Sequence, residues 1–187
     1  GNALNLNDTS NHEITIGMRG SLTSGNTALF GTGVNILVTN NGAITGGSAG
    51  ISLSNSGVST EPIIINNGSV TATANAINLL EGGRVSNTGA INSSQDAVSF
   101  GNFDGSNSNS VLLNSGTILA DLDGVTFNGD DSTVINSGEI SGGDDGVSLS
   151  SLSSDFSLLN TGILSGLSDG VFSLATFGDF DNQGLIS

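Results

Sequence analysis

Apolar residues recur along this chain with two superposed periods. The short one alternates inward and outward: Ile44 is flanked by Ala43 and Thr45, and Val125 and Phe127 flank Thr126. The long one is close to 22 residues. The tripeptide Asn-x-Gly opens at Asn40, Asn66, Asn87, Asn114, Asn136, Asn160 and Asn182, in steps of 26, 21, 27, 22, 24 and 22. With that Asn as position 0, position −2 is apolar throughout, from Val38 to Phe180. Position +4 is aliphatic, from Ile44 to Ile186. Position +10 is small and +11 aliphatic, as in Gly50–Ile51 and Gly124–Val125. Position +13 carries Leu53, Leu79, Phe100, Phe127 and Leu149.

Strand-like alternation inside a fixed long period predicts an all-β fold. Specifically, it predicts a right-handed parallel β-helix (β-solenoid) with three short strands per coil of about 22 residues, in about eight coils. The strands fall at −4 to −1, +3 to +6 and +11 to +14. A weaker coil opens at Met18, and Leu4–Leu6 echoes Ile77–Leu79. All length variation lies between +14 and the next strand, so insertions such as Ser54 to Glu61, Gly101 to Ser110 and Ser150 to Asp155 share one edge. Residues 1–187 read as a single β-helix repeat domain, a segment of a longer chain.

The recurrent Asn has two explanations that act together. Asn tolerates the left-handed backbone of a sharp turn, and stacked Asn amides can bond from rung to rung. The Gly at +2 serves positive φ or close backbone approach. Phe100 and Phe127 should stack inside the core.

Charge then restricts the partners. The net charge is −15, with 17 acids against two cations, Arg19 and Arg84. Most of the acids fall after residue 95. Such a surface repels nucleic acid and anionic lipid. With no Cys there is no disulfide or thiolate chemistry, and the sequence holds no apolar run long enough for a membrane span.

Position +9 carries Asp96, Asp123, Asp145 and Asp169 in consecutive coils. Carboxylates one strand spacing apart repel by about 1 kcal/mol per pair in water. Either they cap turns on a solvated face, or a cation such as Ca²⁺, which takes six to eight oxygens, sits among them. No other cofactor is implied. Catalysis is not expected: His12 lies in a loop-like stretch read as exposed, and there is no Trp or Tyr to form a sugar platform. At the C-terminal end, Ile163 and Leu185 occupy the outward +3 position and form a small apolar strip.

The run Val134-Ile135-Asn136-Ser137-Gly138-Glu139-Ile140-Ser141-Gly142, followed by Asp145-Gly146-Val147-Ser148-Leu149, resembles the passenger repeats of Gram-negative autotransporters and related β-helical surface adhesins. The resemblance covers about residues 14–187. It implies a bacterial extracellular or cell-surface location and a structural or adhesive role. The expected partners are further copies, other surface proteins or glycans, with no nucleic acid and no membrane insertion by this segment. The alternatives are a calcium-assisted β-helix that binds or cleaves polysaccharide, and a filament subunit stacking end to end.

Overall fold

The computed structural model describes residues 1–6, 11–54, 61–101, 109–129, 131–150, 155–174 and 177–187. Among these residues the chain is all strand and turn, wound into three parallel sheets of eight strands each. One coil shows the plan: Leu37–Asn40, then Ala43–Gly46, then Ile51–Ser54. Each strand pairs in parallel with its counterpart one coil away, as in Leu37↔Ile63, Ala43↔Ser69 and Ile51↔Ile77. The sheets are called here the ladder sheet, the second sheet and the groove sheet. The β-solenoid has about seven turns of about 24 residues. Seven strand spacings give a rod on the order of 34 Å.

The inward columns form one continuous core. Val38, Ile44, Ile51 and Leu53 of one coil are buried, and so are Leu112, Ile118, Val125 and Phe127 three coils on. Phe100 and Phe127 stack as expected, with ring centroids 4.8 Å apart and planes 7° from parallel. Phe156 extends the stack, its ring tilted 59° to Phe127 at 5.6 Å. Such pairs add about 0.5–1.5 kcal/mol beyond their buried area.

Two expectations need correction. The first strand of the coils opening from Asn40 to Asn136 runs from −3 to 0, and the last two start earlier, so the recurrent Asn is the strand's last residue. From Asn40 to Asn160 that Asn therefore faces inward and is buried, while Asn182 at the end of the column is exposed, and it is not left-handed. The left-handed residues lie five positions earlier: Asn35, Asn109, Asp131 and Asp155, with φ of 51–65°, and Gly82 with φ 79°. The chain turns there, just before it enters the ladder sheet. Position −4 consequently points inward. This buries Ile36 and Phe156 and leaves His12 half-buried rather than exposed.

The buried Asn column is a hydrogen-bonded ladder. Asn40 Nδ2 donates to Asn66 Oδ1 at 2.8 Å, and the same bond repeats at 2.8–2.9 Å through Asn87, Asn114, Asn136 and Asn160 to Asn182. Each Nδ2 also donates to the +3 carbonyl of the following coil, as Asn114 does to Glu139 at 3.0 Å. The ladder stops at Ile16, which pairs with Asn40 and has no amide. The Gly at +2 is required by close approach: a Cβ on Gly116 would lie 2.1 Å from the Gly89 carbonyl oxygen.

Candidate ligand groove and the acidic column

The +9 carboxylates sit where the second sheet hands over to the groove sheet, one per coil. They are linked along the rod through the backbone. The Asp123 N–H donates to Asp96 Oδ1 at 3.4 Å, and the Asp145 N–H donates to Asp123 Oδ1 at 3.1 Å. The Asp169 N–H serves the Asp145 carboxyl in the same way. Asp96, Asp123 and Asp145 thus each serve the next coil's turn rather than their own. This is the offset that a column of like charges needs, supplied by N–H dipoles. The Ser148 hydroxyl adds a bond to Asp123. The Thr126 hydroxyl faces Asp96, but its buried oxygen completes no bond of normal geometry.

The four acids have different surroundings. Asp96 and Asp123 are half-buried and Asp169 is exposed, while Asp145 is only 7% exposed. Asp145 Oδ1 is buried with no hydrogen-bond partner. Burial pushes the carboxyls of Asp96, Asp123 and Asp145 above the usual carboxylate range. For Asp145 the charges of Asp123, Asp144 and Asp169 push further in the same direction. Among the described residues, no three His, Asp or Glu side chains converge as a metal would require. Asp130, another acid close in sequence, lies outside the described residues.

Beside Asp96 and Asp123 runs a groove of about 340 Å³. Its floor is the outward +12 column of the groove sheet: Asn78, Ser99, Thr126 and Ser148, registered strand to strand. Phe172 continues that column and ends it with an exposed aromatic ring. The two carboxylates form one wall, and Leu80, Asn128 and Leu174 form part of the other. From Asn78 to Phe172 there are four strand spacings, about 19 Å. The floor escaped the sequence reading, although its signal was present. Position +12 is polar between apolar +11 and +13, and Phe172 breaks that column.

The other candidate features separate. Ile163 and Leu185 do pair, at 41% and 54% exposure, on the second sheet and away from the groove floor. The three insertions on the variable edge lie largely outside the described residues. No helix among the described residues is long and apolar enough to cross a membrane. Comparison of the chain with family models, curated proteins and solved structures returns no match.

Proposed function

We propose that this chain is a non-catalytic binding rod, a structural and adhesive β-solenoid whose groove takes an extended glycan from a surface. One observation carries the reading: a row of hydroxyl and amide side chains repeats at strand spacing under a carboxylate wall and ends in an aromatic ring. Sugar hydroxyls both donate and accept. Ser148 and Asn78, half-exposed members of the floor, can answer in either sense, and carboxylates accept from hydroxyl pairs. The exposed face of Phe172 offers an apolar surface for the C–H face of a ring. No cation lines the groove, so uronate-rich or sulfated chains are disfavoured and neutral ones preferred.

Glycoside hydrolysis needs two carboxyl groups flanking the bond that breaks. Asp96 and Asp123 share one wall, which favours recognition over cleavage. The resemblance to surface adhesins supports an extracellular setting.

The test is titration calorimetry against neutral oligosaccharides, acidic oligosaccharides and a Lys/Arg-rich peptide. Neutral chains should bind best, and Ser148→Phe, which fills the floor, should lower their affinity at least about tenfold. Phe172→Ala should also weaken binding, and no saccharide should be cleaved. Binding of the basic peptide alone would replace the glycan reading with an electrostatic one. Binding untouched by Ser148→Phe would remove the groove from the account.

A further inference from the structure

Asn-Gly pairs occur in the chain at Asn41–Gly42, Asn67–Gly68 and Asn128–Gly129. Such a pair is chemically able to modify itself. The glycine nitrogen attacks the side-chain Cγ of the asparagine, and no Cβ on the glycine stands in the way. The new C–N bond closes a five-membered succinimide as the Cγ–Nδ2 bond breaks and ammonia leaves. Water then opens the ring at either carbonyl, giving aspartate or isoaspartate. In sum, one amide and one water become one carboxylate and one ammonium ion.

The fold locks two of the pairs. Asn41 and Asn67 stand at +1, in the turn between the ladder sheet and the second sheet, and their side chains are tied from rung to rung. Asn67 Nδ2 donates to Asn41 Oδ1 at 2.9 Å, and Thr88 Oγ1 donates to Asn67 Oδ1 at 2.9 Å. The attacking nitrogens are engaged as well. The Gly42 N–H donates to Asn40 Oδ1 at 3.1 Å, and the Gly68 N–H donates to the Asn40 carbonyl at 3.0 Å. The turn also has no room to shift, since a Cβ on Gly68 would lie 2.0 Å from the Gly42 carbonyl oxygen. Asn67 is exposed, so it is held geometry and not lack of water that protects it.

The third pair is placed differently. Asn128 follows the groove-sheet strand Val125–Phe127, on the edge where the insertions fall. Its backbone N–H donates to the Phe100 carbonyl at 3.0 Å. Its side-chain amide is half-buried in the groove wall, and among the described residues neither that amide nor the Gly129 N–H makes a hydrogen bond. We infer that Asn128 is a site of spontaneous deamidation in the folded protein. The product puts a carboxylate in the groove wall across from Asp96 and Asp123, and adds one negative charge to a net of −15. The altered groove attracts cationic ligands more strongly. This last consequence rests on the groove being a binding site; the modification itself does not.

Peptide mapping by mass spectrometry tests the inference on the whole chain, incubated at mildly alkaline pH either folded or in urea. In the folded chain Asn128 should convert at least about tenfold faster than Asn41 or Asn67, which react only through local opening. In urea the three should converge, which assigns the difference to the fold. Asn128→Gln, whose longer side chain closes a six-membered ring far more slowly, should leave the folded chain without an early conversion. Equal conversion at the three sites in the folded chain overturns the inference, as does Asn41 or Asn67 converting first. Asn128→Asp copies the main charge change. It should bind a Lys/Arg-rich peptide several-fold more tightly at low salt, with the far-ultraviolet circular dichroism unchanged. A peptide affinity that Asn128→Asp leaves unaltered overturns the effect on the groove. Failure of oligosaccharides to bind counts against the glycan reading alone, because the mass readout needs no ligand.

Discussion

The Asn ladder lends itself to a quantitative test at Asn114. Its side chain is fully enclosed. It accepts from Asn87 Nδ2 at 2.8 Å and donates to Asn136 Oδ1 at 2.9 Å and to the Glu139 carbonyl at 3.0 Å. Asn114→Ala removes these bonds at once, together with a longer one from Nδ2 to the Gly116 carbonyl at 3.3 Å. It strands one N–H of Asn87 and the amide oxygen of Asn136 inside the core, where the smaller side chain admits no bulk water. An unpaired buried polar group costs about 1–3 kcal/mol, so the two together cost about 2–6 kcal/mol. That is a large share of a total stability of roughly 5–15 kcal/mol. Asn182 provides the internal control. It ends the ladder, is exposed, and can exchange its bonds with water, so Asn182→Ala should cost under about 1 kcal/mol. Urea denaturation followed by circular dichroism reads both variants. An unchanged slope shows that each still unfolds as one unit, which matters in a repeat array. Equal costs for Asn114→Ala and Asn182→Ala would refute the claim that burial gives the ladder its strength.

The acidic column predicts an inverted pH dependence. The folded-state carboxyls of Asp96, Asp123 and Asp145 lie above their ordinary value, so their contribution is fully present below that value and is lost as pH rises through the raised one. The melting temperature should therefore be higher at mildly acidic pH than at pH 7, and a monotonic fall on acidification would sink the idea. Asp123→Asn repeats the residue that Asn75 places in the same column; it should add about 0.5–1 kcal/mol at pH 7 by removing repulsion while keeping an acceptor for the Asp145 N–H. Millimolar Ca²⁺ should raise the melting temperature no more than monovalent salt at equal ionic strength, because oxygens of Asp96 and Asp123 already accept N–H bonds; a clear excess with Ca²⁺ would restore a metal role for Asp96, Asp123, Asp145 and Asp169. Phe127→Ala should cost about 3–5 kcal/mol, since its ring touches both Phe100 and Phe156, and a cost below 1 kcal/mol in chemical denaturation would contradict a packed stack.

The core was legible because its columns repeat one chemistry. Aliphatics at −2, +4 and +11 recur in every full coil, and period-2 alternation decides which residues face inward. Position −4 was not legible. It holds Ile36, Pro62, Gly83, Ser110, Ser132 and Phe156, with no shared chemistry, and it follows the edge where insertions shift the count. Phe156 was missed for that reason. The ladder Asn was recognised for its stacking but given a backbone conformation that belongs to position −5. There Asn35, Gly82, Asn109, Asp131 and Asp155 are all turn formers, a signal that the stronger Asn-x-Gly motif obscured. The acidic column was visible, yet its bonding was not. Nothing in the spacing says that a carboxylate serves the N–H one coil further along.

A solenoid separates stability from recognition by direction. Inward positions carry the aliphatic columns, the Phe stack and the amide ladder, and each is constrained by the rung on either side. Outward positions on the same strands are free of that constraint, so what they display reflects other demands. Here the two outward faces diverge. The groove sheet shows hydroxyls and amides beside carboxylates, whereas the ladder sheet shows Ile, Leu and Val without an acid over consecutive rungs. Hydroxyls repeated along the groove sheet argue for a ligand that repeats as well. Different outward faces on two sheets of one rod are compatible, because the rigid core between them holds both surfaces in place without either depending on the other.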